Sequence, residues 1–341
     1  MTAELTVSAG LFRGLLQFAV SRGAERQALL NASEVSEADI AEQDLRVPLA
    51  RYIALMRAGK QLSGDPALGL HFGETMRLDE ISVVGLIGFA AATMEDALMQ
   101  LNRYGRLVIE FEGAEEGDRF RLVRESGALW VVDARRNPNV FPELTEATFA
   151  RMVAGTRQFG ETPLVRAIEV THDAPAHAAE YERVFRAPVT FGARRNAMSI
   201  DPAWLATPIA TTPRYVFGIF SERAEALLAV LDGAKTLRGR IERLLLPILH
   251  TGTANMETVA KDLGASRQTV FRRLRAENVT FAGILDDLRY RLAVDYLASR
   301  KVSVNETAYL LGFSDPAAFS RAFKRWTGQS PGALRGTAGK G

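Results

Sequence analysis

The chain has 341 residues, 47% hydrophobic and 24% charged, the proportions of a folded protein of about two domains rather than of a disordered one. It contains no cysteine, which excludes disulfides, thiolate metal sites and a cysteine nucleophile and fits a reducing, cytoplasmic setting. The net charge of +2 conceals an imbalance, since residues 233–341 hold 18 Lys+Arg against 9 Asp+Glu while residues 1–232 hold 24 against 31. A basic third on an acidic remainder points to a polyanionic partner for the C-terminal part, with a merely solvated basic surface as the plain alternative.

The first hundred residues read mostly as helix. Leu11, Leu15, Phe18 and Ala19 recur at helical spacing before Gly23, and Pro48 opens a second helix carrying Leu49, Ile53, Leu55 and Met56. A third runs over Ser82–Arg106. Its nearly apolar stretch, Ser82–Met94, is 13 residues, too short for a membrane span of about 20. Glu4 and Arg13 deny the N-terminus the character of a signal peptide. Alternation predicts a strand pair, Leu107–Glu112 with Asp118–Arg124, around Gly113–Gly117, and a further strand at Leu129–Asp133. Helix returns at Glu143–Phe159. Arg166–His172 and Val189–Ile200 predict two or three more strands flanking a short helix, Ala176–Phe185. The region is therefore α+β.

Pro202, Pro208 and Pro213 mark the exit from this domain. A helix from Pro213 to Leu231 then carries Val216, Phe217, Phe220, Ala224, Leu227, Leu228 and Leu231 on one stripe. Core packing is the default reading of such a stripe, and dimerisation is the second. Asp232–Gly239, with two glycines, reads as a linker, and the remainder of the chain reads as helical. A helix over Arg240–His250 contains Pro247, which removes one backbone bond and predicts a kink.

A helix-turn-helix needs a small residue where its helices touch, a glycine at the turn and a buried residue on the second helix. Ala260, Gly264 and Val270 have that spacing, and Ala308, Gly312 and Ala318 repeat it 48 residues later, with Phe319 beside Ala318. In the second unit Ser303 and Glu306 form a capping box, and Asp315–Pro316 supplies an N-cap and a first-turn proline. Phe319, Phe323 and Trp326 then share one face, and Ala317, Arg321 and Lys324 the opposite one, with Ser320 and Arg325 at its margins. In the first unit Val270 and Leu274 point inward, while Gln268, Arg272 and Arg275 point out and Phe271 sits at the edge. Thr280–Ser299, with Phe281, Ile284, Leu285, Leu288, Leu292 and Tyr296, joins the units. Its length of about 30 Å suits two recognition helices in successive major grooves, about 34 Å apart. The expected partner is double-stranded DNA.

Gly312–Arg335, GFSDPAAFSRAFKRWTGQSPGALR, resembles the signature of the AraC/XylS family of bacterial transcription regulators. The resemblance covers about a hundred residues and implies a seven-helix DNA-binding module over 240–335, two helix-turn-helix units joined by a long helix, with a tail at 336–341. Carried over by position, it implies base-facing Gln268, Phe271 and Arg272 in the first recognition helix, and Ala317, Ser320 and Arg321 in the second, with Lys324 near phosphate. Arg267, Arg275 and Arg325 complete the expected DNA-binding set. Ala317 departs from the polar residue usual there and cannot donate to a base edge, so the first unit is expected to supply more of the specificity. Less specifically, Asp65–Phe72 (DPALGLHF) and Ser82–Met94 resemble the arabinose-binding-type N-terminal domain of one subgroup. That implies an effector-sensing and dimerising domain over 1–212, followed by a candidate dimerisation helix and linker over 213–239.

These readings describe a cytoplasmic, homodimeric transcription activator that engages promoter DNA, with RNA polymerase as a further candidate partner and no membrane association. The expectation includes no cofactor, metal or catalytic residue. Gly328–Gly332 matches the G-x-S-x-G elbow of hydrolases, the basis of a competing reading as an enzyme localised by a basic module. Pro331, however, lacks the N–H that an oxyanion hole needs. His71, His172, His177 and His250 show no metal-ligand spacing, and His172 with His177 reads as surface. Arg103 and Arg106, three apart on one predicted helix face, are the candidates for an anionic effector. An apolar effector between the helices and the small sheet, or a ligand-free oligomerisation domain, are the alternatives.

Overall fold

The computed structural model describes residues 4–113, 117–157, 164–209, 214–299 and 302–337, and it divides into two compact units between Leu228 and Ala229. Unit 1 opens with β1 (Thr6–Ser8), α1 (Ala9–Ser21), α2 (Arg26–Ser33), β2 (Arg46–Pro48), α3 (Leu49–Ser63) and α4 (Leu68–Thr75). The stripe expected on α1 is buried at Leu11, Leu15 and Ala19, and β1 pairs antiparallel with β2.

The single helix expected over Ser82–Arg106 is broken. α5 (Leu78–Ile81) and α6 (Val83–Phe89) precede α7 (Met94–Tyr104). Thr93 is extended and closes a capping box with Asp96, satisfying the first donors of a new helix where a continuous one would have run. Arg106 lies beyond α7, in a 3-10 turn over Gly105–Leu107. The expected strand Leu107–Glu112 does not form either. Its backbone runs beside β1, with Ser8 N–H donating to Val108 O (2.8 Å) and Glu110 N–H to Thr6 O (2.9 Å).

The hairpin lies one segment later, between β3 (Phe120–Glu125) and β4 (Ala128–Asp133). Its two-residue turn, Ser126–Gly127, has φ of 50° and 79°, the left-handed pair that matches strand twist. Residues 114–116, within the turn expected instead, lie outside the described residues, as does the end of the expected helix at Phe159. Beyond α8 (Pro142–Thr156), β5 (Val165–Glu169), α9 (Ala178–Phe185), β6 (Val189–Thr190) and β7 (Asn196–Ile200) complete a sheet of order β3-β4-β7-β5-β6. Its pairings are antiparallel except β5 with β6, which α9 connects. One core gathers Phe149 and Val153 of α8, Tyr181 and Phe185 of α9, and Val131, Ile168 and Met198 of the sheet.

α10 (Arg214–Lys235) spans the division between the units. Pro213 lies outside the described residues. The expected linker is almost wholly helical, with Gly233 inside α10 and Gly239 inside α11 (Leu237–Leu245). Only Thr236 breaks the run, extended and N-capping α11 through its hydroxyl, which accepts from Gly239 N–H. The kink expected at Pro247 is a change of helix type, because a 3-10 helix over Leu246–Thr251 takes the proline at its start.

Unit 2 continues with α12 (Met256–Asp262), α13 (Arg267–Ala276), α14 (Phe281–Ser299), α15 (Val304–Leu310), α16 (Pro316–Thr327) and α17 (Pro331–Thr337). It has two cores. Ile284 and Leu288 of α14 pack with Val259, Val270 and Leu274 in the first. Ala293 and Leu297 of the same helix pack with Ala308, Phe319 and Phe323 in the second. The architecture is an α+β unit followed by an all-helical one, as expected.

Candidate nucleic-acid interface

Each recognition helix is set by local chemistry. Ser266 is extended and accepts from Thr269 N–H (3.1 Å) to start α13, after Gly264 has turned the chain at φ 62°. The capping box of Ser303 and Glu306 opens α15, and Asp315 accepts from Ala318 N–H (2.7 Å) to start α16. Val270, Leu274, Phe319 and Phe323 are buried, which commits the opposite faces to solvent. On α13 that side carries Gln268, Phe271, Arg272 and Arg275, and Arg267 stands at the first position of the helix, all exposed. Phe271 is 60% exposed, an apolar ring displayed where core packing has no use for it. On α16 Ala317, Arg321, Lys324 and Arg325 are exposed and Ser320 is half-buried.

Ion pairing separates these groups. Among the described residues, none of Arg267, Arg272, Arg273, Arg275, Arg321 and Lys324 is held in an ion pair, whereas Arg238 bridges Glu242 and Asp287, and Arg291 meets Glu242. Arg325 differs from its neighbours. It pairs with Asp286 of α14 at 3.0 Å, which restrains it at the edge of the face. Arg273, exposed beside Arg272, was not among the residues expected to face DNA; at about 100° per residue it falls on the flank of the apolar sector, about 60° from Val270.

Arg289 of α14 is a second residue that spacing did not single out. Its guanidinium donates to Leu311 O (2.9 Å) and Gly312 O (3.3 Å) and stacks over Phe313, 4.6 Å from the ring centre. It therefore ties the turn of the second unit to the connecting helix. Burial pulls its guanidinium below the ordinary arginine range. No motif marks such a role, which arises only when α14 and the α15–α16 turn are packed together.

In unit 1 the two arginines expected to bind an anion are not brought together on one helix face, because Arg106 lies off α7. Arg103 pairs with Glu225 at 2.5 Å, and Tyr104 donates to the same carboxylate (2.7 Å). Arg106 lies 4.0 Å from Glu110. The histidine reading also changes. His172 and His177 are half-buried rather than surface residues, both ringed against Tyr181. His71 lies between Asp65 (2.7 Å) and Glu180 (2.9 Å). Tyr181 donates to Glu146 (2.6 Å), and burial pushes that carboxyl up to about 7. Gly328–Gly332 follows helix α16 rather than a strand, so it lacks the setting of a nucleophile elbow.

Residues 23–209, more than half of the chain, match the family described as the arabinose-binding domain of AraC transcription regulator, N-term. Residues 259–337 match one described as a helix-turn-helix domain. The ornithine utilization regulator of Pseudomonas aeruginosa is 29% identical, over 98% of this chain and 97% of its own. The HTH-type transcriptional regulator VirS of Mycobacterium tuberculosis is 25% identical over 87% of each chain. Among solved structures, transcriptional regulator CdpR from Pseudomonas aeruginosa is 23% identical and covers 95% of this chain and 97% of that one, at a TM-score of 0.43.

Proposed function

The chain belongs to the AraC family of transcription regulators, a DNA-binding protein with a ligand-binding-type N-terminal domain, and from that premise we propose how its parts divide the work. The recognition helices α13 and α16 enter successive major grooves on one face of the duplex. Arg267, Gln268, Phe271, Arg272 and Arg275 contact DNA from the first, and Ala317, Ser320, Arg321, Lys324 and Arg325 from the second. The observation that carries this reading is the set of arginines left without carboxylate partners on solvent faces, since phosphates supply the missing counter-charge. Arg272 and Gln268 read bases. Ala317 can only meet a thymine methyl, so α13 contributes most of the specificity.

Residues 1–212 sense a small effector, 213–239 carry the dimer contact and 240–335 dock on the operator. The protein works in the cytoplasm as a homodimer and activates transcription in contact with RNA polymerase. Its relatives are regulators rather than enzymes.

The test is an anisotropy titration of the purified protein on its own upstream intergenic DNA and on scrambled DNA across a salt series. Operator DNA is expected to bind more than about 10³-fold tighter, with a steep negative salt slope. Arg272→Ala is expected to cost about 1–3 kcal/mol at one base pair and to relax the preference there, while Lys324→Ala weakens all sequences alike. A uniform loss with Arg272→Ala would reassign that residue to phosphate.

A further inference from the structure

Two adjacent apolar cavities, each partly open to solvent, lie in unit 1. One, of about 130 Å³, is walled by α6, α7, α8 and the Trp204 turn, and the other, of about 100 Å³, shares Leu78, Leu101, Arg151 and Met152 with it. Aliphatic side chains and glycines make up nearly all of the larger wall, with two polar exceptions among the described residues, Arg151 and Trp204. Both are donors. Neither has an acceptor, because Arg151 Nε and Trp204 Nε1 are buried without a hydrogen-bond partner. Trp204 is 2% exposed, so water outside the protein does not serve its N–H.

Arg151 is also without an ion pair among the described residues. Asp79 is the carboxylate whose charge acts on it, but that carboxylate is held by Arg77 at 2.8 Å. Arg151 is half-buried, and this burial pulls its guanidinium below the ordinary arginine range, the cost of holding a charge partly out of water with no carboxylate beside it. An apolar chamber with only donors on its wall is complementary to one chemistry, an anionic acceptor on a hydrocarbon body. A ligand bearing an ammonium meets no carboxylate among the described wall residues. An apolar cavity of about 150 Å³ accommodates a benzene ring, which scales the hydrocarbon body in the larger cavity to about six carbons, seven at most.

We propose that the effector of this protein is an apolar monocarboxylate of that size, seated in the larger cavity with its carboxylate accepting from Arg151 and Trp204. The proposal rests on the reading of unit 1 as an effector domain and names the chemistry of that effector. It also displaces Arg103 and Arg106, whose nearest carboxylates are Glu225 and Glu110, as the anion site.

The test uses the full chain with octanoate and phenylacetate as probes, and octanamide and octylamine as controls. Calorimetric titration and thermal melting read binding, and operator anisotropy reads the consequence. Both carboxylates are expected to bind and raise Tm, and the amide and amine to bind at least tenfold more weakly. Arg151→Met is expected to lower carboxylate affinity at least tenfold while leaving the Tm of the free protein unchanged or higher, because Arg151 makes no ion pair among the described residues that the substitution would break. Arg151→Lys, which keeps the charge, is expected to recover part of the affinity. Trp204→Phe is expected to weaken binding and abolish the change in tryptophan fluorescence on addition of octanoate. Carboxylates that fail to bind the wild type, or bind Arg151→Met equally well, overturn the proposal. Octanamide shifting operator binding as strongly as octanoate overturns the carboxylate while leaving the effector reading intact. A carboxylate that binds through Arg151 without moving the operator curve leaves the site standing and overturns its role as effector.

Discussion

Glu146 shows how one buried residue couples this fold to pH. Tyr181 donates to it, and the carboxyl is so withdrawn from water that its ionisation is pushed up to about 7. The folded state therefore holds a proton that the unfolded chain releases near its ordinary value of 4.5. The stability tied to that proton is fully present below about pH 4.5 and is lost as pH rises through about 7, a total of about 3 kcal/mol. Urea titrations at pH 5 and pH 8 are expected to show the wild type losing about 2–3 kcal/mol more than Glu146→Gln across that interval. Parallel losses in the two proteins would place the titration elsewhere. Nothing in the sequence around Glu146 announces this, because its partner Tyr181 is 35 residues away and reaches it only when α9 packs on α8. Arg151 is invisible for the same reason, since burial and lack of a partner are properties of packing. The exposure of Arg272 was legible, because α13 buries Val270 and Leu274 and so fixes the direction of its other face.

At the scale of elements, the turn glycines of the two helix-turn-helix units look alike in sequence and differ in structure. Gly264 and Gly312 both have positive φ, 62° and 72°, so an L side chain strains either, by about 1–2 kcal/mol. A Cβ on Gly264 would meet open space, whereas one on Gly312 would lie 2.1 Å from Leu249 O. That carbonyl belongs to the 3-10 helix that takes Pro247 at its start, so the break in the helix and the tight second turn are one packing solution. Gly264→Ala is expected to cost about 1–2 kcal/mol in a urea melt of the full chain, and Gly312→Ala distinctly more, since backbone must shift against backbone. Equal costs would mean that the 3-10 helix yields freely. Caps, turns and apolar stripes of this unit were legible because their partners lie within a few residues. The sheet was less so. β4 pairs with β7 from residue 129 to residue 200, a separation no local pattern encodes, and the strand pair expected at Leu107–Arg124 lost to the nearer turn at Ser126–Gly127.

For the whole molecule, the charge division at residue 232 and the structural division after Leu228 fall on the same helix, α10. Its expected apolar stripe is the inward one, since Ala224 and Leu231 are buried and Phe217, Phe220, Leu227 and Leu228 are half-buried. A different line of apolar residues faces solvent: Tyr215 (78% exposed), Ile219 (46%), Ala226 and Val230 (71%) fall within about a 60° arc at about 100° per residue. Glu225 on the same helix is fixed by Arg103 and Tyr104, and Arg223 meets Asp44 at 2.8 Å, so the first half of α10 is pinned with that line turned outward. Apolar residues at spacings of four and seven, exposed among the described residues, suit the seam of a second helix, and the proposed dimer contact would use this line of α10. Ile219→Asp with Val230→Asp is expected to convert a dimer into a monomer in sedimentation velocity at micromolar concentration. Because both residues are exposed, the Tm of each unit should scarcely change, unlike Ala224→Asp, which places a charge at a fully buried position. Binding to a two-site operator should then fall by about 10²-fold or more, the advantage that linked sites confer, while binding to a single half-site is retained. A double variant that still sediments as a dimer would move the contact off α10, and a wild type that sediments as a monomer would remove it from the free protein altogether.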